Sequence, residues 1–328
     1  TYTLPCIAGH VGADTAAMVL AEAPHHQEAI TLLVDVGTNA EIVLGNRDRL
    51  LAASSPTGPA FEGAQISSGQ RAAPGAVERV RIDPKTLEPR FRVIGSECWS
   101  NDVYFAEETK KTGVTGICGS GIIEAIAELY LCGIISQDGL FDESMMGRSN
   151  RIIKEGRTCS YLLHKGEPEL RITQNDIRAI QLAKAALYAG IRLLMDHLGI
   201  EEVQRIRLAG AFGSHIDVKY AMILGLIPDC DLDHVSSAGN AAGTGARMAL
   251  LNHGSRREIE ETVRKIEKVE TAVEPAFQQH FVDAMAIPHK HAPSTHLQKT
   301  VSLPEAKNNA QGNGDSTSRR RRSKRVVA

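Results

Sequence analysis

Thr31-Leu32-Leu33-Val34-Asp35-Val36-Gly37-Thr38-Asn39-Ala40-Glu41-Ile42-Val43-Leu44-Gly45 is the stretch of this 328-residue chain from which the fold can be argued. The apolar run Thr31 to Val36 stops at Gly37, and a second short apolar run, Glu41 to Gly45, follows a polar turn, so the spacing predicts a β-hairpin. The turn carries what a phosphate requires. Gly37 lets the backbone come close, Thr38 and Asn39 offer polar contacts, and Asp35 at the strand end can hold a water on Mg²⁺ or orient an attacking water. A ligand-free aspartate-glycine turn is written with the same residues, and the hairpin alone does not separate the two readings.

Before the hairpin, Ile7 to Ala23 is alanine-rich and apolar and predicts a helix. With no strand ahead of it, residues 1–30 are expected to be the end of a preceding lobe. After the hairpin, a Gly/Ser-rich region (54–75) leads to a strand pair at Val77 to Ile82 and Arg90 to Ile94, turned at Asp83-Pro84. Gly116 to Gly121 opens a helix with Ile122, Ile123, Ile126, Leu129 and Tyr130 at helical spacing, ended by Gly133. Residues 151–172 read as short strands. Thr173 caps a long helix that Gly199 stops. Arg205 to Ala209 predicts a buried strand and Asp217 to Leu224 a helix; the small-residue stretch Ser237 to Ala246 then leads into a small-residue helix to Leu251, with a last helix from about Arg256. Interleaved strands and helices without a fixed repeat define an α/β protein.

Three further loops share the property of the hairpin turn, small residues where a strand ends or a helix begins, so that free N–H groups and a helix dipole can face an anion. These are Gly116 to Gly121, with Gly119, Ser120 and Gly121 nearest the helix; Gly210-Ala211-Phe212-Gly213, where missing side chains leave room for adenine and ribose; and Gly239 to Ala246. Each has a packing alternative: a helix capped by Ser120, a strand leaving the sheet, or a close helix pair. Gln181 and Lys184, three apart on the long helix, share one face. Lys184 reaches either a ligand phosphate or ribose or, as a snorkelling side chain, only solvent.

Composition narrows the function. Apolar residues make up 42% and charged residues 23% of the chain, values of a globular protein. No apolar run has the roughly 20 residues of a membrane span, and a secretory leader is not visible, so a cytoplasmic location is expected. The six cysteines contain no C-x-x-C pair for zinc or an iron–sulfur cluster. They are expected to be reduced and mostly buried, with Cys118 alone placed where a helix N-terminus could lower a thiol pKa. Residues 289–328 hold nine Lys/Arg against two Asp/Glu, and residues 1–288 hold 28 against 37. The body is therefore acidic, which argues against a nucleic-acid surface. The polar basic segment 289–328 is expected to be disordered.

The order of these loops resembles the second lobe of the actin, sugar kinase and heat-shock chaperone superfamily (ASKHA). The stretches Leu32 to Gly45, Gly58-Pro59-Ala60-Phe61-Glu62-Gly63, Gly116 to Gly121, Gln181 to Ala186, Ala209 to Gly213 and Gly239 to Ala246 resemble, more narrowly, the C-terminal domain of the reductive activators of corrinoid proteins. The resemblance implies an actin-like, ribonuclease H-like lobe over residues 31–288, a mixed sheet flanked by helices. It implies ATP with Mg²⁺ as ligand, Asp35 to Glu41 as phosphate loop, Gly210 to Gly213 as adenosine loop, and Asn240 with Ala241 as the link between lobes. It further implies a corrinoid protein of a methyltransferase system as partner, reduced from cobalt(II) to cobalt(I) by a 2Fe-2S domain that this chain lacks, and admits a homodimer. Ala40 stands where the family usually has glycine. Two other readings carry the same loops: a small-molecule kinase acting on a sugar or carboxylate, and a non-enzymatic dimerisation or docking lobe.

Overall fold

The computed structural model describes residues 2–213 and 215–304. Its strands are β1 (Thr31–Val36), β2 (Ala40–Gly45), β3 (Leu50–Ser55), β4 (Ala76–Ile82), β5 (Pro89–Val93), β6 (Gly116–Ile117), β7 (Ile152–Glu155), β8 (Thr158–His164), β9 (Leu170–Thr173), β10 (Arg205–Ala209), β11 (Val235–Gly239) and β12 (Glu267–Lys268). The helices are α1 (Ala13–Glu22), α2 (Phe105–Glu108), α3 (Gly119–Leu131), α4 (Gln174–Leu198), α5 (Gly210–Gly213), α6 (Val218–Leu224), α7 (Ala241–Leu251), α8 (His253–Val263) and α9 (Phe277–Asp283).

The hairpin read from the sequence forms. β1 and β2 pair antiparallel with Asp35 opposite Glu41 and Val36 opposite Ala40. It sits inside a six-stranded mixed sheet of order β11-β10-β1-β2-β3-β12, in which β10 and β11 run parallel to β1. Strand periodicity divides β1 between the two faces. Leu32, Val34 and Val36 join the large core with Ile180, Leu187 and Ile191 of α4, and Leu33 joins the smaller core of Val19, Leu20, Val43, Ala241 and Ile259 beneath α1, α7 and α8. Asp35, one step from Val36 and two from Leu33, therefore lies on the α1 face.

α4 is fixed at both ends as its sequence indicates. The Thr173 side chain accepts from the Asp176 amide, the Asp176 carboxylate accepts from the Thr173 amide, and Gly199 ends the helix in the left-handed region at φ 69°. A second sheet, β5-β4-β6, packs on α3. Two carboxylates of α3 take the place of a neighbouring strand: Glu124 accepts from the Val80 amide at 2.9 Å and Glu128 from the Ile82 amide at 3.0 Å. Strands β7-β8-β9 form a third, antiparallel sheet.

Two segments differ from the sequence reading. The first helix starts at Ala13 and not at Ile7, because Ala8 and Val11 close a tight turn through Gly9 and Gly12 is extended at ψ −172° as the N-cap. The basic tail is ordered further than its composition suggests. Asp229 accepts from the amides of His296 at 2.7 Å and Leu297 at 2.9 Å, and Leu297 is only 1% exposed, with Val301 and Leu303 packed on the same core. An apolar residue every few positions suffices to dock so polar a segment once an acceptor waits for its backbone. The arginine run of the tail lies outside the described residues.

Candidate functional site

The parallel strands β1, β10 and β11 end on one edge of the sheet, and each is followed at once by small residues: Gly37, Gly210, and Gly239 with Asn240. Ligands of such sheets sit outside the carboxyl ends of the strands, where backbone can be approached. Three of the four loops singled out in the sequence are thus neighbours through strand pairing, although residues 37 and 239 are far apart in the chain.

Asp35 stands at the centre of this edge. Gly210, at φ 85°, abuts it so closely that a Cβ there would lie 2.1 Å from Asp35 Oδ1. Burial raises the Asp35 pKa above the ordinary aspartate range, and the charge of Asp14 adds to it. Glu41, opposite Asp35 on β2, is pushed up to about 7, first by burial and then by Asp14 and Asp35, against a Ser54 hydrogen bond that lowers it. Asp14, in the first turn of α1, is the third carboxylate; its Oδ1 accepts from the Thr15 amide at 2.8 Å. Sequence reading missed Asp14. The available signal was an acid two residues after Gly12 at the start of an otherwise alanine-rich helix, where it complements the helix dipole as well.

The hairpin turn is braced from below. Thr57 Oγ1 donates to the carbonyls of Gly37 at 2.7 Å and Thr38 at 3.0 Å, and the Gly58 amide donates to Thr38 O at 2.8 Å. Thr38 Oγ1 donates to Glu62 Oε1 at 2.6 Å. The Gly58 to Gly63 segment thus holds the turn in shape, while Thr38 and Asn39 stay exposed. Asn240 caps α7 by accepting from the Gly243 amide at 2.8 Å and is exposed, whereas Ala241 is buried in the α1–α7 contact. α5 carries the backbone of Gly210 to Gly213. Gly213 packs on Leu208, and the side chains of Ala211 and Phe212 lie outside the described residues.

The other candidates are employed elsewhere. Lys184 is buried on α4 with its Nζ donating to the carbonyls of Ala286 and, at 2.7 Å, Pro288. Burial drives its pKa well below that of a free lysine. Gln181 donates to the carbonyls of Asp138 at 3.1 Å and Met285 at 2.8 Å. Both side chains fasten the 285–288 segment to α4 and neither joins the edge around Asp35; each satisfies a backbone group that has no strand or helix partner. Gly119, Ser120 and Gly121 are buried at the start of α3 on the second sheet. Ser120 is not the cap of that helix. Cys118 occupies the N-cap, and its Sγ donates to Val77 O, so this cysteine is enclosed and not a reactive thiol. No helix among the described residues is long and apolar enough to cross a membrane.

Comparison with known proteins agrees with this architecture. The family described as the C-terminal domain of RACo, the ASKHA domain, matches residues 29–298. The corrinoid activation enzyme RamQ of Eubacterium limosum is 36% identical over 291 residues, covering 85% of this chain and 46% of that protein. A [Co(II) methylated amine-specific corrinoid protein] reductase of Methanosarcina barkeri is 30% identical over 271 residues, covering 80% and 46%. A solved structure of a reductive activator for corrinoid, iron–sulfur protein superimposes with a TM-score of 0.75 at 35% identity, over 88% of this chain and 44% of the other. The chain spans somewhat less than half the length of these relatives. It belongs to the family of the C-terminal ASKHA domain of RACo.

Proposed function

We propose that this chain is the nucleotide-binding part of an ATP-dependent reductive activator of corrinoid proteins. In this reading the protein takes one electron from a reduced 2Fe-2S cluster, carried by a region outside this chain, and delivers it to a corrinoid partner, converting cobalt(II) to cobalt(I). The observation that carries the reading is the edge where β1, β10 and β11 end in small residues around a carboxylate cluster, with Asp35 and Glu41 half-buried and Asp14 exposed. Beyond burial, the charge of Asp14 raises the proton affinity of Asp35, and Asp14 and Asp35 together raise that of Glu41, an arrangement that a divalent cation relieves. Bound with ATP, Mg²⁺ would supply the charge that neutralises the phosphate oxygens. Asp35 is the residue to hold it, through a water. Gly37 and Gly210 let backbone approach the phosphates and adenosine, and Asn240 presents the positive end of α7.

These loops contain no redox group, so ATP acts on the electron transfer only by binding one conformation more tightly than another. A preference of about 1.4 kcal/mol changes the population ratio tenfold. Reduced full-length protein mixed with a cobalt(II) corrinoid protein should form cobalt(I) faster with Mg-ATP than without, followed by cobalt absorbance. Asp35→Asn and Gly210→Ala should each weaken Mg-ATP binding at least about tenfold, or about 1.4 kcal/mol. Equal reduction rates with and without Mg-ATP would sink the reading, and phosphorylation of a sugar or carboxylate would replace it with the kinase.

A further inference from the structure

The far end of α1 holds a second group of chemically capable side chains, at the opposite end of the helix from Asp14. Ala23, in the left-handed region at φ 48°, turns the chain out of α1 into the short turn Pro24–His26. The two adjacent histidines do not splay apart as neighbours in a tight turn usually do. Their rings lie 4.1 Å apart at 44°, and both Nε2 atoms converge to 2.9 Å from the same oxygen, Oε1 of Glu258 on α8. All three potential ligand atoms fall within 4.8 Å of one another. His25 is largely enclosed, at 12% exposure, and its Nδ1 is buried with no hydrogen-bond partner. His26 is 61% exposed and Glu258 35%. They open onto a cavity of about 520 Å³ that Arg47, Arg257 and Lys265 also line.

We propose that His25, His26 and Glu258 bind a divalent transition metal, a site separate from the nucleotide edge. Two imidazole nitrogens and one carboxylate oxygen suit zinc(II) and its neighbours; Mg²⁺ and Ca²⁺ favour shells built from oxygen. Metal–ligand bonds of about 2.0–2.1 Å in a tetrahedral site separate the ligand atoms by about 3.3 Å, so the present 2.9 Å contacts need to open only by a few tenths of an ångström. Three protein ligands leave a position free, as in metal sites that take an exogenous ligand. That position faces a cavity lined by four cationic side chains, Arg47, Arg49, Arg257 and Lys265, against two further carboxylates, Asp48 and Glu261, so its occupant would be water or a small anion such as a carboxylate or phosphate. α1 rises about 15 Å over its ten residues, which keeps this site clear of the Asp14–Asp35–Glu41 group.

Titration calorimetry of the whole chain with zinc(II) in chelator-free buffer tests the site, with cobalt(II) as spectroscopic probe. Wild type should bind one equivalent that Glu258→Gln and His26→Ala each weaken about tenfold to a hundredfold. The visible cobalt(II) bands of a low-coordinate site should disappear in both variants. His26 is exposed, and Glu258→Gln keeps an acceptor oxygen in place, so each variant should fold, which thermal unfolding without metal checks. Mg-ATP binding should be unchanged in both. Zinc binding and cobalt spectra that are the same in wild type and both variants, or no binding by wild type, would overturn the proposal.

Discussion

Two glycine loops of the same appearance in the sequence do different physical work. At Gly116 and Gly121 the place of the missing side chain is already taken: a Cβ on Gly116 would lie 2.6 Å from Gln70 Oε1, and one on Gly121 would lie 2.2 Å from Val77 O. Along the edge of the main sheet the glycines are less enclosed by backbone. A Cβ on Gly239 meets nothing within 4 Å, one on Gly37 meets only Asn39 O, at 3.3 Å, and one on Gly210 would press on the Asp35 carboxylate and not on a neighbouring strand. The first loop uses glycine so that α3 can lie on β4. The second set uses it to leave backbone uncovered beside acidic groups. Glycine spacing does not tell these apart; what faces the Cα hydrogen does.

The contrast is open to attack at its strongest point first. Gly121→Ala should cost about 3 kcal/mol of stability, because the methyl group meets a backbone carbonyl that cannot move without shifting β4. Mg-ATP affinity of the folded variant should stay within error of wild type. Chemical denaturation with parallel calorimetry reads both, and a selective loss of nucleotide binding would return this loop to the site.

Glu41 gives the next largest effect. Between its ordinary value of 4.5 and about 7 the folded chain holds a proton that the unfolded chain has released, so this contribution is complete below pH 4.5 and is lost as pH rises through about 7. Partial exposure reduces the term to on the order of 1–2 kcal/mol. Glu41→Gln should therefore be more stable than wild type at pH 8 by that amount and no more stable at pH 4. Mg-ATP binding should run the other way in wild type, strengthening as pH rises through 7 and the carboxylate ionises. A stability difference independent of pH would show that the acidic group is not coupled as the geometry indicates.

Gly239→Ala is the smallest. With open space around it and φ at 58°, the substitution costs only the left-handed backbone strain, about 1 kcal/mol. A loss of several kcal/mol would mean that this loop is packed like Gly121.

Local features of the fold were legible where neighbours in sequence decide them. The β1–β2 hairpin, the Thr173 cap and the Gly199 stop are set by residues within a few positions of one another. The placing of β10 and β11 beside β1 is not of that kind, since two parallel strands far along the chain can be ordered in several ways with the same apolar pattern. That order is what unites the loops of Asp35, Gly210 and Asn240. Lys184 shows a second limit. A lysine on an apolar helix face is written identically whether it snorkels to water, meets a phosphate or, as here, closes on the carbonyls of Ala286 and Pro288. Leu297 shows a third, because the acceptor that docks its segment, Asp229, lies 68 residues away.

The crossing of α1 and α7 bears on how Asp14 can respond to anything that binds beside it. A Cβ on Gly245 would stand 1.8 Å from the carbonyl oxygen of Ala17, so the two helices touch backbone to backbone. Sliding either by one turn would bring Ala241 or Ala249 to that point, and a methyl group does not fit there. Gly245 thus works as a pin: at this crossing α1 cannot travel along its own axis past α7, and the rearrangement the contact leaves to it is a tilt about Ala17. A tilt that draws Asp14 toward the sheet edge must swing the opposite end of the helix, with Glu22 and the turn beyond it, the other way.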